Sequence, residues 1–313
     1  MKNKILVTGF SGFIGSNLIK SLKGKYQLKL LGRKSSQLGI VYNHNLDGHS
    51  SYNEATEDVQ VVIHCAARVH IMDDSSIDSL REFRTVNTEG TINLARQSAE
   101  AGVKRFIFLS SIKVNGESTS GKIPFTANDL PRPEDPYGIS KSEAELGLLE
   151  LGKQTGMEIV IIRPPLVYGE GVKANFTSLM KFVNKGLPLP FRSINDNKRS
   201  LVSVYNLVDL IKLCIDHPKA ANQVFLVSDD HDLSTAKMVA LMAKVQGKKN
   251  IALPVPFWFF KLAGKLLKKG DVIDRLTGSL QLDIAHTKRT LGWTPPYSIE
   301  HGFMLAAKSA TKK

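Results

Sequence analysis

The sequence has few cysteines and no long apolar segment. Its two cysteines, Cys65 and Cys214, lack the spacing of metal ligands, and each lies in an apolar stretch. We therefore expect buried free thiols, with neither a disulfide nor a metal site. Apolar runs never reach the length of a membrane-spanning helix, and the first strand-like run meets a polar, glycine-rich turn too early for a signal peptide. These absences predict a cytoplasmic protein.

Acidic residues are scarce relative to basic ones. The 313 residues include 42 Lys and Arg against 29 Asp and Glu, which gives a formal net charge of +13. Such a surplus favours anionic partners, but charge cannot choose among them. The lysines are scattered, without the interleaved aromatic residues of a single-strand binder or a recognisable nucleic-acid motif. We interpret the surplus as a solvated basic surface and expect no nucleic-acid partner.

The first half of the chain alternates strand-like and helix-like segments. Short runs rich in Val, Ile, Leu and Phe are separated by longer segments with helical periodicity, which is typical of βαβ units. We predict a doubly wound parallel α/β sheet of the Rossmann type, with ligands at the carboxyl ends of its strands. The predicted strands are Lys4–Thr8, Gln27–Leu31, Val61–His64, Arg105–Ser110 and Glu158–Arg163. The predicted helices between them are Phe13–Lys23, Ile77–Ala101 and Pro136–Thr155.

The second half is less regular. After Arg163 the pattern loosens into segments containing Pro and Gly, then returns to a strand at Gln223–Val227 before further helices. We predict a cofactor-binding domain at residues 1–165, rejoined by residues 199–230. A smaller, interleaved mixed α/β portion at residues 166–198 and 231–313 would bind the substrate.

A glycine-rich turn joins the first strand to the first helix. Glycines allow the backbone to approach a pyrophosphate closely, and the free amides and dipole of a helix N-terminus attract that anion. The spacing G-x-x-G-x-x-G is by itself a weak signal that packing could also explain, but its place between a strand and a helix favours a dinucleotide. The expected contacts are Gly9, Phe10, Ser11, Gly12, Phe13, Ile14 and Gly15.

No carboxylate follows the second strand, where an acid would bind the cofactor ribose in an NAD enzyme. Arg33, Lys34 and Ser35 stand there instead, and the next carboxylate is Asp47. A guanidinium beside an ammonium and a hydroxyl suits a 2′-phosphate. The sequence therefore favours NADP over NAD, with a basic surface turn as the alternative. Asp47 would face the adenine edge or serve as a simple loop acid.

Tyr137 and Lys141 form the strongest chemical motif. Asp135 can cap a helix that Pro136 begins, and this places Tyr137 and Lys141 one turn apart on one face. A phenol titrates near ~10 and transfers protons poorly at neutral pH unless a nearby cation favours the phenolate. Lys141 would supply that cation and hold the nicotinamide ribose. The strand before this helix ends in Ser110-Ser111, where a hydroxyl could bind the reacting oxygen.

Together these motifs resemble the extended short-chain dehydrogenase/reductases, in particular the branch of nucleotide-sugar epimerases and reductases. The resemblance covers essentially the whole chain and rests on the glycine-rich turn, His64-Cys65-Ala66-Ala67, Asn87 in Val86-Asn87-Thr88-Glu89-Gly90-Thr91, Arg163-Pro164 and the set Ser111, Tyr137 and Lys141. It implies that this set is catalytic. It also implies that Asn87 supports the active site, with a packing role as the alternative. Residues that it places at the cofactor are Ala66, Ala67, Arg68, Asn87, Tyr137, Lys141 and Pro164.

The downstream half resembles the same branch. The segment from Arg199 to Asp209 is similar to one whose arginine contacts a nucleotide diphosphate. A second arginine often stands three residues before an Asp, but Leu280 occupies that position before Asp283, so either Arg275 substitutes or the clamp is single. The resemblance also implies a possible homodimer. The substrate contacts that it implies are Ser111, Lys113, Asn175, Leu189, Phe191, Arg199 and Arg275, while Arg68 and Lys113 could equally be solvated loop cations.

The resemblance leaves the reaction open between two kinds of chemistry at C4 of a UDP-sugar. The 4,6-dehydratases carry acids after the active-site hydroxyl, whereas this chain has Ile112-Lys113-Val114, so we do not expect dehydration. Arg33 and Lys34 favour NADPH-dependent reduction over epimerisation. The segment from Ala66 to His70 resembles enzymes of bacterial surface-polysaccharide pathways, and this resemblance implies that the substrate is a UDP-4-keto-6-deoxy-N-acetylhexosamine in polysaccharide precursor synthesis. The alternative is a UDP-glucose or UDP-N-acetylglucosamine 4-epimerase that retains NAD. A third hypothesis is a non-catalytic NADP-binding or membrane-associated module.

Support for the third hypothesis comes from the segment Phe257–Lys269. A helical wheel separates its lysines, Lys261, Lys265, Lys268 and Lys269, from a mostly apolar side formed by Trp258, Phe259, Phe260, Leu262, Leu266 and Leu267. A basic amphipathic helix of this kind can lie on anionic lipid. More often such a helix packs its apolar face against its own domain, and this is our expectation here.

Overall fold

The centre of the fold is a parallel sheet of seven strands. A computed structural model describes residues 3–69, 79–172, 175–266 and 270–310. In the large sheet the strands lie in the order β3-β2-β1-β4-β5-β6-β9, and every neighbouring pair is parallel. The strands are β1 (Lys4–Thr8), β2 (Gln27–Leu31), β3 (Ile40–Tyr42), β4 (Val61–His64), β5 (Arg105–Leu109), β6 (Glu158–Arg163), β7 (Leu166–Tyr168), β8 (Leu201–Ser203) and β9 (Gln223–Leu226).

Helices cover both faces of this sheet. Side chains alternate along each strand, so Ile5 and Val7 enter one apolar core while Leu6 enters the other. The predicted Rossmann-type α/β fold is confirmed. The helices are α1 (Phe13–Leu22), α2 (Asn53–Thr56), α3 (Ser79–Phe83), α4 (Gly90–Glu100), α5 (Pro136–Thr155), α6 (Asn175–Asn184), α7 (Val204–Asp216), α8 (Thr235–Val245), α9 (Phe257–Leu266), α10 (Gly270–Thr277), α11 (Ala285–Leu291) and α12 (Ile299–Ala310).

The predicted elements differ from the observed ones mainly at their ends. The strand predicted to Ser110 ends at Leu109, and the strand predicted to Val227 ends at Leu226. The long predicted helix beginning at Ile77 starts outside the described residues, and a π-helical turn at Arg84–Glu89 separates α3 from α4. The three-residue strand β3 was not predicted because the segments on either side of it show no clear alternation of apolar and polar residues.

The order of the strands reverses at the middle of the sheet. The chain runs outward from β1 through β2 to β3, then crosses back to β4 on the other side of β1. The carboxyl ends of β1 and β4 therefore open a crevice, which is where ligands bind in sheets of this kind. The glycine-rich turn follows β1, and the Ala66-Ala67 segment follows β4.

A second core lies beside the sheet. The short strands β7 and β8 pair in parallel, and helices α6, α8 and α12 pack around Tyr168, Phe176 and Phe303. Elements from 166–198 and 231–313 dominate this core, although β8 joins it from the segment predicted to return to the cofactor domain. The exact division into two domains stays a prediction. Cys214 is buried as expected, whereas Cys65 is half-buried, and burial raises the pKa of both thiols to about 12.

Gly302, on α12, is in close contact with the second core. A Cβ atom at Gly302 would lie 2.6 Å from the hydroxyl of Tyr168 and 3.0 Å from Cβ of Ser203. Tyr168 is buried, and its hydroxyl is fixed by a hydrogen bond of 2.6 Å to Asp229, so it cannot move aside. Gly302→Ala should lower the free energy of unfolding by about 1–3 kcal/mol, against a gain of about 1 kcal/mol in helix propensity.

Urea unfolding measures this difference directly. The matched control is Gly48→Ala, because an added Cβ there meets only the Glu89 side chain at 3.5 Å, an ordinary contact. A Gly302→Ala variant that is more stable than the wild type by about 1 kcal/mol, as helix propensity alone would give, would contradict the packing described for α12.

Candidate active site

The turn after β1 lies in backbone contact with the segment after β4. Gly9 has a φ of +67°, and a Cβ atom there would lie 2.5 Å from the amide nitrogen of Ala66. The amide of Gly12 donates to the carbonyl of Gly9 across 2.9 Å, which closes the turn. These contacts place the two predicted cofactor segments side by side at the crevice.

The start of α1 is free of competing anions. Its N-cap, Gly12, supplies no side-chain cap, and the first turn contains no acidic residue. Ser11 and Gly12 are exposed at the tip of the turn. A ten-residue helix with uncapped amides at a crevice suits a diphosphate, so the residues present fit a dinucleotide cofactor.

A buried histidine network lies under this turn. His64 hydrogen-bonds through Nδ1 to the Thr8 hydroxyl at 2.7 Å and through Nε2 to the Thr91 hydroxyl at 3.0 Å. The Thr8 hydroxyl also accepts from the amide of Ala66 at 3.2 Å. Burial, reinforced by the charge of Lys141, lowers the pKa of His64 to about 3, so the ring stays neutral and acts as a structural link. Sequence reasoning missed this network, although His64 at the end of an apolar strand was a signal for it.

The residues predicted to select the cofactor lie at the surface. Arg33, Lys34 and Ser35 follow β2 and are exposed at the carboxyl edge of the sheet. Asp47 closes its own loop, because its carboxylate accepts from the amides of His49 and Ser50 at 2.9 and 2.7 Å. This pattern of hydrogen bonds lowers the pKa of Asp47 in spite of burial. Its predicted contact with adenine stays a prediction.

Asn87 joins the loop after β4 to helix α5. Its Oδ1 accepts from the amide of Arg68 at 2.8 Å, and its Nδ2 donates to the carbonyl of Arg68 at 3.0 Å and to the hydroxyl of Ser140 at 3.1 Å. Asn87 lies in the π-helical turn and is buried. The side chain of Arg68 forms an ion pair with Glu82 and lies 6.0 Å from the Phe83 ring. Asn87 thus links the loop after β4 to α5, and its support of the active site stays a prediction.

Helix α5 begins as the sequence predicts. Asp135 accepts from the amide of Gly138 at 2.7 Å, and Pro136 occupies the first turn. A Cβ atom at Gly138 would lie 2.9 Å from the carbonyl oxygen of Lys113, so this glycine lets the start of α5 touch the short helical turn Ile112–Val114. The contact brings the start of α5, which carries Tyr137, to the segment that begins at Ser111.

The two serines at the end of β5 have different environments. Ser110 is buried, and its hydroxyl donates to Glu145. Ser111 is half-buried, and its hydroxyl accepts a bond of 3.2 Å from the amide of Lys113. Of the two serines, only Ser111 therefore combines some exposure with a hydroxyl proton left to donate, and its role at the reacting oxygen stays a prediction.

Lys113 is engaged in structural ion pairs. Its ammonium contacts Asp135 at 2.5 Å and Glu117 at 2.9 Å. The cation therefore braces the N-cap of α5 against the segment after β5. A contact between Lys113 and a sugar stays a prediction, and it would have to compete with these two carboxylates.

Burial sets the electrostatic state of Tyr137 and Lys141. The ammonium of Lys141 donates to the carbonyl of Leu109 at 2.9 Å and lies 4.3 Å from the Phe108 ring centroid. Burial lowers the pKa of Lys141 to about 7, and burial with the nearby charge of Asp135 raises the pKa of Tyr137 above its ordinary value. The ammonium of Lys141 is thus engaged by a backbone carbonyl, and the expectation that it favours the phenolate of Tyr137 stays a prediction.

A buried ion pair lies beneath these residues. The guanidinium of Arg163 donates to both oxygens of Glu145, at 3.0 Å from Nε and 2.5 Å from Nη2, and to Asn115 at 2.9 Å from Nη1. Glu145 also accepts from Ser110. All four side chains are buried. Sequence reasoning missed this set, although Glu145 stands four residues after Lys141, and so on the same helical face as Tyr137 and Lys141.

The predicted substrate residues from the second half fall into two groups. Arg199 donates to the carbonyl of Gly278 at 3.2 Å, and burial together with the positive charge of Arg275 lowers its pKa. The two guanidiniums therefore lie near enough to affect each other, and their role as a clamp on a diphosphate stays a prediction. Leu189 pairs with the backbone beside Ala252, and the Phe191 ring stacks 6.3 Å from Phe260. The side chain of Asn175 lies outside the described residues.

Comparisons with known proteins show a family match, a close relative in sequence and solved structures of similar fold. Residues 5–228 match the NAD dependent epimerase/dehydratase family. A UDP-glucose 4-epimerase from Vibrio cholerae is 55% identical over 99% of this chain and 96% of its own length. The structure of a UDP-glucose 4-epimerase from Thermotoga maritima with UDP-glucose superimposes with a TM-score of 0.77, at 23% identity and over 98% of both chains. A UDP-glucuronic acid 4-epimerase from Bacillus cereus in complex with NAD gives a TM-score of 0.79, at 20% identity and over 99% of both chains.

The buried pair generates a stability prediction. Glu145→Gln keeps the shape of the side chain but leaves the buried charge of Arg163 unpaired, and breaking such a pair costs about 3–5 kcal/mol. Glu143 lies on the same helix and pairs with the partly exposed Arg84. Glu143→Gln should therefore cost less than about 1 kcal/mol.

Both free energies of unfolding can be read from urea titrations followed by circular dichroism. Comparable losses for Glu145→Gln and Glu143→Gln would show that the Arg163 pair is no more important than a surface pair.

Proposed function

The chain belongs to the NAD-dependent epimerase/dehydratase family, and we propose that it interconverts the C4 epimers of a UDP-hexose with NAD as its cofactor. The first candidate pair of substrates is UDP-glucose and UDP-galactose. The observation that carries this proposal is the 55% identity to the Vibrio cholerae UDP-glucose 4-epimerase along nearly the whole of both chains. Ser111, on the segment after β5, and Tyr137 and Lys141, on α5, are consistent with it. This ranks epimerisation above the reduction that Arg33 and Lys34 favoured on sequence.

The cofactor would be held by residues on both sides of the crevice. The turn from Gly9 to Gly15 would take its diphosphate, and the segment after β4, which Asn87 fixes, would border it. When bound, NAD supplies a site that accepts a hydride from C4 and returns it. The protein residues bind and orient the cofactor and the sugar, and they exchange the proton of the C4 hydroxyl.

Tyr137 is the group that exchanges the proton of the C4 hydroxyl. In the state described here its phenol is protonated, and the Lys141 ammonium is turned to the Leu109 carbonyl. Accepting a proton requires the phenolate, so we propose that Lys141 turns towards the ring of Tyr137 in the working enzyme. The two residues share a helical face, so the lysine side chain can make this change without movement of the backbone. Ser111 would donate its hydroxyl proton to the sugar O4.

Arg199 and Arg275 would bind the UDP diphosphate. Two guanidiniums that repel each other in the free protein are stabilised by a dianion placed between them. The described residues show no carboxylate paired with either arginine, so the diphosphate would not have to displace one. This gives the nucleotide a charge-based anchor away from the reacting carbon.

One observation favours a second candidate. Arg33, Lys34 and Ser35 are exposed where the 2′-hydroxyl of the cofactor's adenosine ribose would lie. A guanidinium beside an ammonium and a hydroxyl suits the 2′-phosphate of NADP. The second candidate is therefore NADPH-dependent reduction of a UDP-4-keto sugar, which uses the same Ser111, Tyr137 and Lys141. The two reactions differ in whether the cofactor is consumed.

Product analysis separates the candidates. We expect the purified protein, supplied with NAD and UDP-glucose, to form UDP-galactose detectable by sugar NMR, with no stoichiometric change in nicotinamide absorbance. UDP-N-acetylglucosamine would be tested in parallel. Consumption of NADPH with a UDP-4-keto-6-deoxy-N-acetylhexosamine, together with no epimer from either UDP-sugar, would refute the epimerase and support the reductase.

Tyr137→Phe removes the proton that the proposal requires and little else. Turnover should fall by about 10²–10⁴-fold or more, while binding of the nicotinamide cofactor, measured by calorimetry, stays close to that of the wild type. Tyr297→Phe is the matched control because Tyr297 is an exposed tyrosine outside the crevice. Near-normal turnover in Tyr137→Phe would remove this residue from the chemistry.

A further inference from the structure

Helix α9 presents an apolar stripe to solvent. Trp258, Leu262 and Leu266 are spaced by four residues and are 64%, 47% and 73% exposed. The opposite side of the helix faces the protein, where Phe260 is 5% exposed and stacks on Phe191. Sequence analysis favoured an apolar face packed on the protein, and among the residues of that face that the structure describes only Phe260 fulfils the expectation.

Basic residues flank the stripe. Lys261 and Lys265 are exposed on the same helix, and the ammonium of Lys261 lies 5.1 Å from the Phe257 ring centroid. Helix α9 contains no acidic residue, and the chain as a whole carries a net charge of +13. Lys268 and Lys269, which follow in the sequence, lie outside the described residues. The surface therefore combines exposed apolar side chains with positive charge.

These features match one kind of partner. A helix that lies in the plane of a membrane inserts apolar and aromatic residues at the level of the head groups and keeps lysines at the anionic surface. Tryptophan is favoured at that depth because its ring is amphipathic. A second copy of the chain fits less well, because a two-fold contact would bring two basic stripes together.

We propose that helix α9 docks this protein on an anionic lipid surface, with Trp258, Leu262 and Leu266 inserted among the head groups. This inference does not depend on the proposed function. No helix within the described ranges is long and apolar enough to cross a bilayer, so the contact would be peripheral. Because Phe260 stacks on Phe191, the docked helix would hold the predicted substrate portion beside the membrane.

Vesicle sedimentation tests the proposal with the full chain. We expect the protein to pellet with phosphatidylcholine vesicles that contain phosphatidylglycerol, and to stay in solution with phosphatidylcholine alone. The triple variant Trp258→Ser, Leu262→Ser, Leu266→Ser should weaken association by about tenfold or more. Lys261→Glu with Lys265→Glu should weaken it selectively for anionic vesicles, and added salt should do the same to the wild type.

Two controls make the result specific to α9. Ile123→Ser with Leu130→Ser removes two exposed apolar side chains elsewhere, 81% and 76% exposed, and should leave association unchanged. Trp258 fluorescence should shift to the blue on binding, since the other tryptophan, Trp293, is already buried. Trp258→Phe should keep the association and lose most of this shift.

Three results would overturn the proposal. The first is no association of the wild type with anionic vesicles at low ionic strength. The second is equal association of the triple variant, with its fold verified by circular dichroism. The third is a dimer in sedimentation velocity that the triple variant dissociates while vesicles bind neither protein, which would assign the stripe to a second copy of the chain.

Discussion

The candidate active site depends on the buried ion pair between Arg163 and Glu145. Removing two charges from water is costly, and the cost is offset only when every polar atom finds a partner. Here the guanidinium also reaches Asn115, and the carboxylate also accepts from Ser110. The pair thereby ties the ends of β5 and β6 to the middle of α5. Since Lys141 and Tyr137 stand one and two turns before Glu145 on the same helical face, the pair fixes their angle to the sheet.

The electrostatic state of the site follows from its burial. Low polarity around α5 disfavours both charged forms, so the free protein holds a neutral phenol at Tyr137 and a weakly basic amine at Lys141. A phenol whose pKa is raised is harder to deprotonate, so this state of the site lacks the phenolate that proton acceptance requires. The neutral ring of His64 adds no competing charge next to them.

The sequence predicted the sheet well, because strands buried on both faces appear as short apolar runs, and it predicted the start of α5 from Asp135 and Pro136. It could not predict contacts between distant segments. The pairing of Glu145 with Arg163, the bonds of Asn87 and the π-helical turn that carries it all depend on how β4, β5 and α5 meet. The outward stripe of α9 was misjudged for a related reason: a helical wheel separates two faces, but it cannot say which face the rest of the chain covers.

The contact between Gly9 and Ala66 has a consequence for the evolution of this chain. The atoms that a Cβ at Gly9 would meet belong to the backbone, namely the nitrogen and Cα of Ala66 and the carbonyl carbon of Cys65. A clash with a side chain can be relieved by a smaller residue at the second position, but a clash with the main chain cannot. No single compensating substitution is therefore available. Position 9 must stay glycine for as long as the turn after β1 and the segment after β4 keep this distance.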